Sequence, residues 1–494
     1  MFDFQKFCFL FFIIAFCTGC RFGPDYRPPV VEVSDGWKHG LNDSSPVPFT
    51  GIWWEVFNDE TLNSLEATAV LNNPNLFAAL DRVAEARAVV GVDRAALYPQ
   101  INLLPSYSNT GELIKLYIPT GLFPSTFTQA NLNTPFRVHE LIYNLPFTMS
   151  YELDLWGRLS GQYDSAILSA EAQQEDFNTS LLTLTADVAT SYFQIRSFDR
   201  QVLVLQENIE ELRKYLDLTL SRFNRGLANK LDVVSAQQQL TDEEAICKDI
   251  ARQRALQENA LAILVGVPPS ELCIGANPLY DPPPQIPGGI PSEVLFQRPD
   301  IAAAERNMAS EHALISVAYA SFFPAIQLTG TFGFLSPTLK DFLQWKSHLW
   351  ILGANAAQSI FDAGRNQWNL DLAYANFNEA LHEYKDQVLI ALREVEDALA
   401  NLEWLYTEYQ SYWLSSQSAK ERLSLTLRRY VQGLASYLEV IDSRRTALQA
   451  ELNEVNVLGE RYISTVQLIK AMGGSWEASL QTTPEEPGCS SQCE

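Results

Sequence analysis

The chain has 494 residues, 47% of them hydrophobic and 19% charged, which excludes an intrinsically disordered protein. Its formal net charge of −24 excludes nucleic acid as a natural partner, since binding it requires a basic face. An acidic balance of this size suits a solvated surface and a cation-attracting conduit equally well.

Residues 1–19 read as a secretory signal. Lys6, offset by Asp3, precedes an apolar run from Phe7 to Phe16 that is too short to span a bilayer. The run ends in Cys17-Thr18-Gly19-Cys20. This resembles the lipobox of bacterial lipoproteins, which implies that Cys20 becomes the lipidated first residue of the mature chain. Arg21 rather than Asp follows it, which by the same resemblance permits delivery to the outer membrane. Cys247, Cys273, Cys489 and Cys493 remain as thiols of the mature body, without Cys-x-x-Cys spacing or clustered His, so no zinc site is indicated. Whether Cys489 and Cys493 are bonded stays open.

Residues 20–61 form an arm rich in Pro and Trp, with Gly23-Pro24-Asp25-Tyr26-Arg27-Pro28-Pro29 and Trp53-Trp54. It lacks periodicity and is expected to run extended along another surface. Leu62 to Leu97 reads as a helix interrupted near Asn72-Asn73-Pro74, and a strand begins at Ile101 after Tyr98-Pro99. From Tyr143 to Asp154 every odd position is apolar and every even one, apart from Pro146, is polar, a strand with one greasy and one wet face. A helix then runs from Arg158 to Phe223 without proline, roughly 100 Å at ~1.5 Å per residue. Its far half carries a narrow coiled-coil seam through Val188, Tyr192, Ile195, Phe198, Val202, Leu205, Ile209, Leu212, Leu216, Leu220 and Phe223. A medium helix is expected over Leu231 to Val265.

The chain repeats itself. Asn73-Pro74-Asn75-Leu76 and Tyr98-Pro99-Gln100-Ile101 recur 225 residues on, as Arg298-Pro299-Asp300-Ile301 and Phe323-Pro324-Ala325-Ile326. Gly157-Arg158, Arg222-Phe223-x-x-Gly226-Leu227-Ala228 and Leu231-Asp232-Val233 recur 207 residues on, as Gly364-Arg365, Arg429-Tyr430-x-x-Gly433-Leu434-Ala435 and Leu438-Glu439-Val440. Residues 62–266 and 292–473 are therefore two copies of helix, strand, loop, strand, very long helix, tight turn and medium helix. A Pro-rich linker, 267–291, joins them and a polar tail, 474–494, follows. Two medium helices should stack along each long one. Four strands cannot close a barrel, and an open edge in hydrocarbon leaves backbone groups unpaired. Strands placed in a membrane thus force several chains to share one barrel.

The lipobox, Gly23-Pro24-Asp25-Tyr26, Ser150 to Arg158, Ile360-Phe361-Asp362-Ala363-Gly364-Arg365 and the two Arg-aromatic-x-x-Gly turns occur in one order. Together they resemble the outer membrane efflux protein family of the TolC and OprM type, its lipoprotein branch in particular. The resemblance implies a mainly α fold with a β-barrel portion. Tandem-duplicated helical hairpins would form a periplasmic coiled-coil tunnel, and four transmembrane strands per chain would contribute to a shared trimeric twelve-stranded barrel. It implies a homotrimer in the outer membrane of a Gram-negative bacterium, anchored by lipid, serving as exit duct of a tripartite pump. The implied partners are a periplasmic adaptor and an inner-membrane transporter of the resistance-nodulation-division class. No catalysis and no cofactor are implied. Ser359 stands where the family usually has Pro, and Ala435 where it often has a charged residue.

Gly226 and Gly433 suit the left-handed position that ends a helix, and Asp232 and Ser436 can cap the next one. The resemblance adds a gate. It implies that Tyr430 bonds to Asp232 to hold the periplasmic end shut, and that Glu439 and Asp442 form an acidic ring at the entrance; with six carboxylates brought together by three chains, cation binding and raised carboxylate pKa values are expected there. With Ala435 in place of a cation, the latch rests on hydrogen bonds or on Leu434. Arg222, Gly226, Leu227, Arg429, Gly433 and Ser436 are the expected turn and adaptor contacts. A periplasmic coiled-coil tether is the competing reading, and ducts for metal ions or secreted protein are open as well.

Overall fold

The computed structural model describes residues 23–29, 36–39, 52–114, 136–286 and 298–474. Cys20, Cys489 and Cys493 lie outside them. The chain divides into two compact units. One comprises the described residues within 1–28, 85–170 and 307–380, the other those within 29–84, 171–306 and 381–494. Each unit draws on both sequence repeats.

Following a 3₁₀ turn at Trp53–Phe57, the elements are α1 (Glu60–Asn72), α2 (Pro74–Ala96), β1 (Gln100–Leu103), β2 (Ser106–Ile114), β3 (Phe136–Leu153), α3 (Arg158–Asn224) and α4 (Lys230–Val265). The second copy supplies α5 (Pro299–Ala320), β4 (Ala325–Ser336), β5 (His348–Ala357), α6 (Arg365–Val431) and α7 (Tyr437–Ala471). The two long helices, α3 and α6, have 67 residues each. No described helix is long and apolar enough to cross a membrane.

The first unit holds the sheet. Five strand segments form four plies, because β1 and β2 both pair antiparallel with β3 in one unbroken register. The expected single strand is interrupted at Leu104-Pro105, where proline has no N–H for the ladder. Opposite, β3 carries Pro146, and Gly333 of β4 faces it so closely that an added Cβ would lie 2.2 Å from the Leu145 carbonyl oxygen. The order continues through β4 to β5, leaving β1–β2 and β5 as outer edges among the described residues. Register aligns the faces. Leu103, Phe147, Phe332 and Trp350 form one cross-strand row, and the latter three remain 45–64% exposed. Glu152, Gln327 and Asn355 form a row on the opposite face.

The passage from β3 into α3 is set by side chains. Asp154 accepts from the N–H groups of Leu159 (3.0 Å) and Ser160 (2.7 Å), capping the helix. Arg158 donates to both carboxylate oxygens of Glu152, and Trp156 donates to the Pro324 carbonyl and stacks on Phe323. Asp362 does the same capping for α6, through Gly364 and Asn366. In the arm, Tyr26 lies edge-on to His312 of α5.

The second unit is helical. Its largest core joins Trp53, Leu62, Leu65 and Ala69 to Leu181, Tyr192 and Ile195 of α3, Leu261 and Val265 of α4, and Ile469 of α7. The medium helices meet end to end, as the repeat reading expects. In the first copy Asn73 ends α1, accepts from Asn75 and Leu76, and donates to the Leu264 carbonyl near the end of α4. Gly266 packs on the Asn72 carbonyl. In the second copy Arg298 donates to the Ala471 carbonyl at the end of α7 and pairs with Asp300 and Glu394. Part of the linker is clamped by Arg254 on the Ile274 carbonyl and Asp199 on the Asn277 N–H. Glu66, on the core face of α1, is wholly buried with neither carboxylate oxygen hydrogen-bonded, and burial holds its pKa well above the ordinary value.

Candidate functional site

In the second unit both long helices end at turns of one design. Gly226 and Gly433 have φ of 71° and 76°. Gly226 donates to the Phe223 carbonyl and Leu227 to that of Arg222, while Gly433 donates to Tyr430 and Leu434 to Arg429. These paired bonds are the Schellman ending, in which a left-handed glycine lets two orphan carbonyls be satisfied. A Cβ at either glycine would meet nothing within 4 Å, so the requirement is conformational rather than steric. The helices that follow start with reciprocal caps. Asn229 accepts from the Asp232 N–H, and Asp232 accepts from the Asn229 N–H. Ser436 and Glu439 form the same box in the second copy.

The two turns are brought together. Ala236 of α4, Tyr430, Tyr437 and Val440 share one buried cluster. The Arg222 guanidinium sits 4.6 Å over the Tyr430 ring, and the Tyr430 and Tyr437 rings lie 5.8 Å apart. Burial first, then neighbouring Tyr430, pushes the Tyr437 phenol up to about 12. Arg429 donates to the Leu434 carbonyl at 3.3 Å. Leu227, Leu231, Leu434 and Leu438 project from the turns at 65–75% exposure, an apolar set with repeat symmetry.

Within one chain the expected latch takes a different form. Tyr430 is buried between Arg222 and Tyr437 and has no hydrogen bond to Asp232 among the described contacts, while the Asp232 carboxylate accepts locally from the Asn229 N–H. The expected acidic ring belongs to three chains; within one chain its two members have partners of their own. The Ser436 N–H, followed by its hydroxyl, draws the Glu439 pKa below the ordinary carboxylate value rather than above it. Asp442 is paired with Arg422 at 2.6 Å. Glu439 and Asp442 do line one open groove of about 1040 Å³ between α6 and α7, with Arg422, Arg429 and Leu438. Among the described residues no group of three or more His, Cys, Asp or Glu side chains is arranged to hold a metal ion.

Residues that sequence reasoning passed over tie the repeats together. Arg444 of α7 is 4% exposed, donates to Asn208 of α3 at 3.0 Å and lies 4.5 Å over the Tyr215 ring. Asn208 in turn donates to Glu243 of α4, also buried. Burial raises the Glu243 pKa above its ordinary value, opposed by Gln239, Arg444 and Asn208. Tyr437, by contrast, carried a signal: it stands where Lys230 stands in the first copy.

The model of the outer membrane efflux protein family matches residues 66–267 and 290–474, one stretch for each repeat. The chain belongs to that family. It is 30% identical to the toluene efflux pump outer membrane protein TtgF of Pseudomonas putida, over 93% of this chain and 95% of that protein. Identity to the cation efflux system protein CusC of Escherichia coli is 29%, over 94% and 99% of the two chains. The solved outer-membrane channel OprN aligns with a TM-score of 0.81 at 28% identity, covering 92% of this chain and all of that one. This outer membrane efflux protein is thus a channel of the Gram-negative outer membrane that reaches into the periplasm, mainly helical with a sheet portion.

Proposed function

We propose that three copies of this chain form the exit duct of a tripartite efflux pump, passively releasing small molecules delivered from the inner membrane. The observation that carries it is the four-ply sheet. It has one apolar face, two edges unpaired among the described residues and a constant register, and three such sheets joined edge to edge make a closed twelve-stranded barrel with no unpaired backbone. Cys20 anchors each chain by lipid. The turn residues Leu227, Arg222 and Arg429, together with Gly226, Gly433 and Ser436, meet a periplasmic adaptor. That adaptor links the duct to an inner-membrane transporter of the resistance-nodulation-division class.

Tyr430, Asp232, Leu434, Glu439 and Asp442 form the gate at this end. Tyr430 acts there as a buried aromatic wedge, and in a trimer Glu439 and Asp442 bring six carboxylates to one axis. Cargo is chosen upstream: TtgF and CusC, named for toluene and for cations, are 30% and 29% identical to this chain. The mass of the detergent-solubilised protein tests the assembly. Three chains per particle are expected, and a monomer would contradict the reading. Divalent cations should block current through the wild type and not through Glu439→Ala/Asp442→Ala.

A further inference from the structure

The caps and the ion pairs Lys420–Glu451 and Arg422–Asp442 at the turn end stay within one repeat. Arg444 does not. Its hydrogen bond to Asn208 joins α7 of the second copy to α3 of the first, and its guanidinium covers Tyr215 of the same helix. Asn208 then passes the link to Glu243 on α4. Four side chains on three helices thus form one chain of contacts, closed at Glu243 by Gln239. Both charged members are at most 5% exposed.

Such a buried charge has two consequences. A guanidinium held out of water needs its hydrogen-bond and ring partners. The hairpin of α6 and α7 cannot move away from α3 and α4 without breaking these contacts, and while water is excluded the guanidinium then loses its hydrogen bond and its ring together. The neighbouring Arg445 illustrates the opposite case. It is 80% exposed and lies 4.0 Å from Asp442 in its own helix, and no ion pair or hydrogen bond ties it to the other repeat among the described residues.

We propose that Arg444 is a positioning residue of the gate, pinning the second hairpin to the first through Asn208, Tyr215 and Glu243 so that the turn end rests closed. The inference rests on the duct reading and adds to it a cross-repeat pin about two helical turns behind Tyr437. The buried aromatic cluster of Tyr430 and Tyr437 supplies shape at the turn. The pin supplies a polar contact with a defined geometry, which favours one arrangement of the hairpins over a range of similar ones.

The test is current through the full-length protein reconstituted in planar bilayers. Wild type should be mostly closed. Arg444→Ala and Asn208→Ala should each raise resting conductance about tenfold, the size of effect expected when one hydrogen bond to a charged group is lost. Arg444→Lys should recover part of the closure, since it keeps the charge but not the fork. The double variant Asn208→Ala/Arg444→Ala should leak no more than Arg444→Ala alone. Lys420→Ala, which breaks an ion pair inside the second hairpin, should behave as wild type. Thermal melting and subunit mass of each variant separate leak from misassembly. Wild-type resting conductance in a correctly assembled Arg444→Ala would overturn the pin, as would strictly additive effects of the two substitutions, or a leak that appears only with loss of assembly. Absence of any channel current from wild type would instead overturn the duct reading.

Discussion

The two helical turns share a backbone and differ in what their side chains do. Gly226 and Gly433 have nearly the same φ, the same pair of carbonyl bonds and the same empty space around them. Each is followed by a capping box. Yet Phe223 and Lys230 of the first copy form a surface cation–π contact at 5.8 Å, while the repeat-related Tyr430 and Tyr437 form a buried ring pair at the same distance. Phe223 is 37% exposed and Tyr430 only 7%. Duplication preserved the turn because left-handed glycine and cap chemistry tolerate few substitutes. The side chains diverged because the second turn packs against the first copy's helices. The second turn carries the contacts between the repeats, and the first mainly supplies the surface that receives them.

The strongest way to break that contrast is to truncate both aromatics. Tyr430→Ala should cost about 3–5 kcal/mol in unfolding free energy, as for a buried aromatic, while Phe223→Ala should cost roughly 1 kcal/mol. Equal shifts in melting temperature would show that the turns are not differentiated. Tyr430→Phe, which removes a hydroxyl with no described hydrogen bond, should change resting current little. The symmetry of the backbone is sharpened by Gly226→Ala and Gly433→Ala. Each should cost about 1–2 kcal/mol, and by similar amounts, since the cost is that of a Cβ in the left-handed region. A much larger effect at one of them would mean a packing role that the empty surroundings do not show. Next come the caps. Asn229→Ala and Ser436→Ala should each destabilise by about 1 kcal/mol, measured by the same melting curves.

The smallest effect expected is a titration. The Ser436 bonds lower the folded pKa of Glu439 below its unfolded value, so Glu439 contributes stability above the unfolded pKa and loses it as pH falls through the folded one. Melting curves from pH 6 down to pH 3 should therefore fall slightly more for wild type than for Glu439→Gln. The reverse order would mean that assembly raises this carboxyl, as a ring of like charges would.

Much of this was legible in the residues. Long stretches free of Pro and Gly, a seam of period 3.5 and two constant offsets gave the helices, the hairpins and the duplication. Gly226, Gly433 and their caps could be read because a left-handed turn restricts its residue types. The break in the first strand falls at Pro105, which has no N–H for the ladder. What pattern could not show is which of two adjacent arginines is buried. Arg444 and Arg445 look alike in sequence, and only the phase of α7 against α3 sends one inward to Asn208. Nor could it show that Asp232 is consumed by its own cap while Tyr430 turns to Arg222 and Tyr437. Glu66 is a similar case: on the core face of α1 it breaks the apolar pattern, and its burial depends on packing from distant helices.

The central claim is that this chain assembles a pore whose helical end rests closed. Single-channel recording of the purified protein in planar lipid bilayers tests it most directly. The account predicts discrete current steps with long closed intervals in wild type, and sustained opening when Tyr430 is changed to Ala. A wild-type protein that inserts as a trimer and passes no current under any applied voltage, with Tyr430→Ala equally silent, would contradict it.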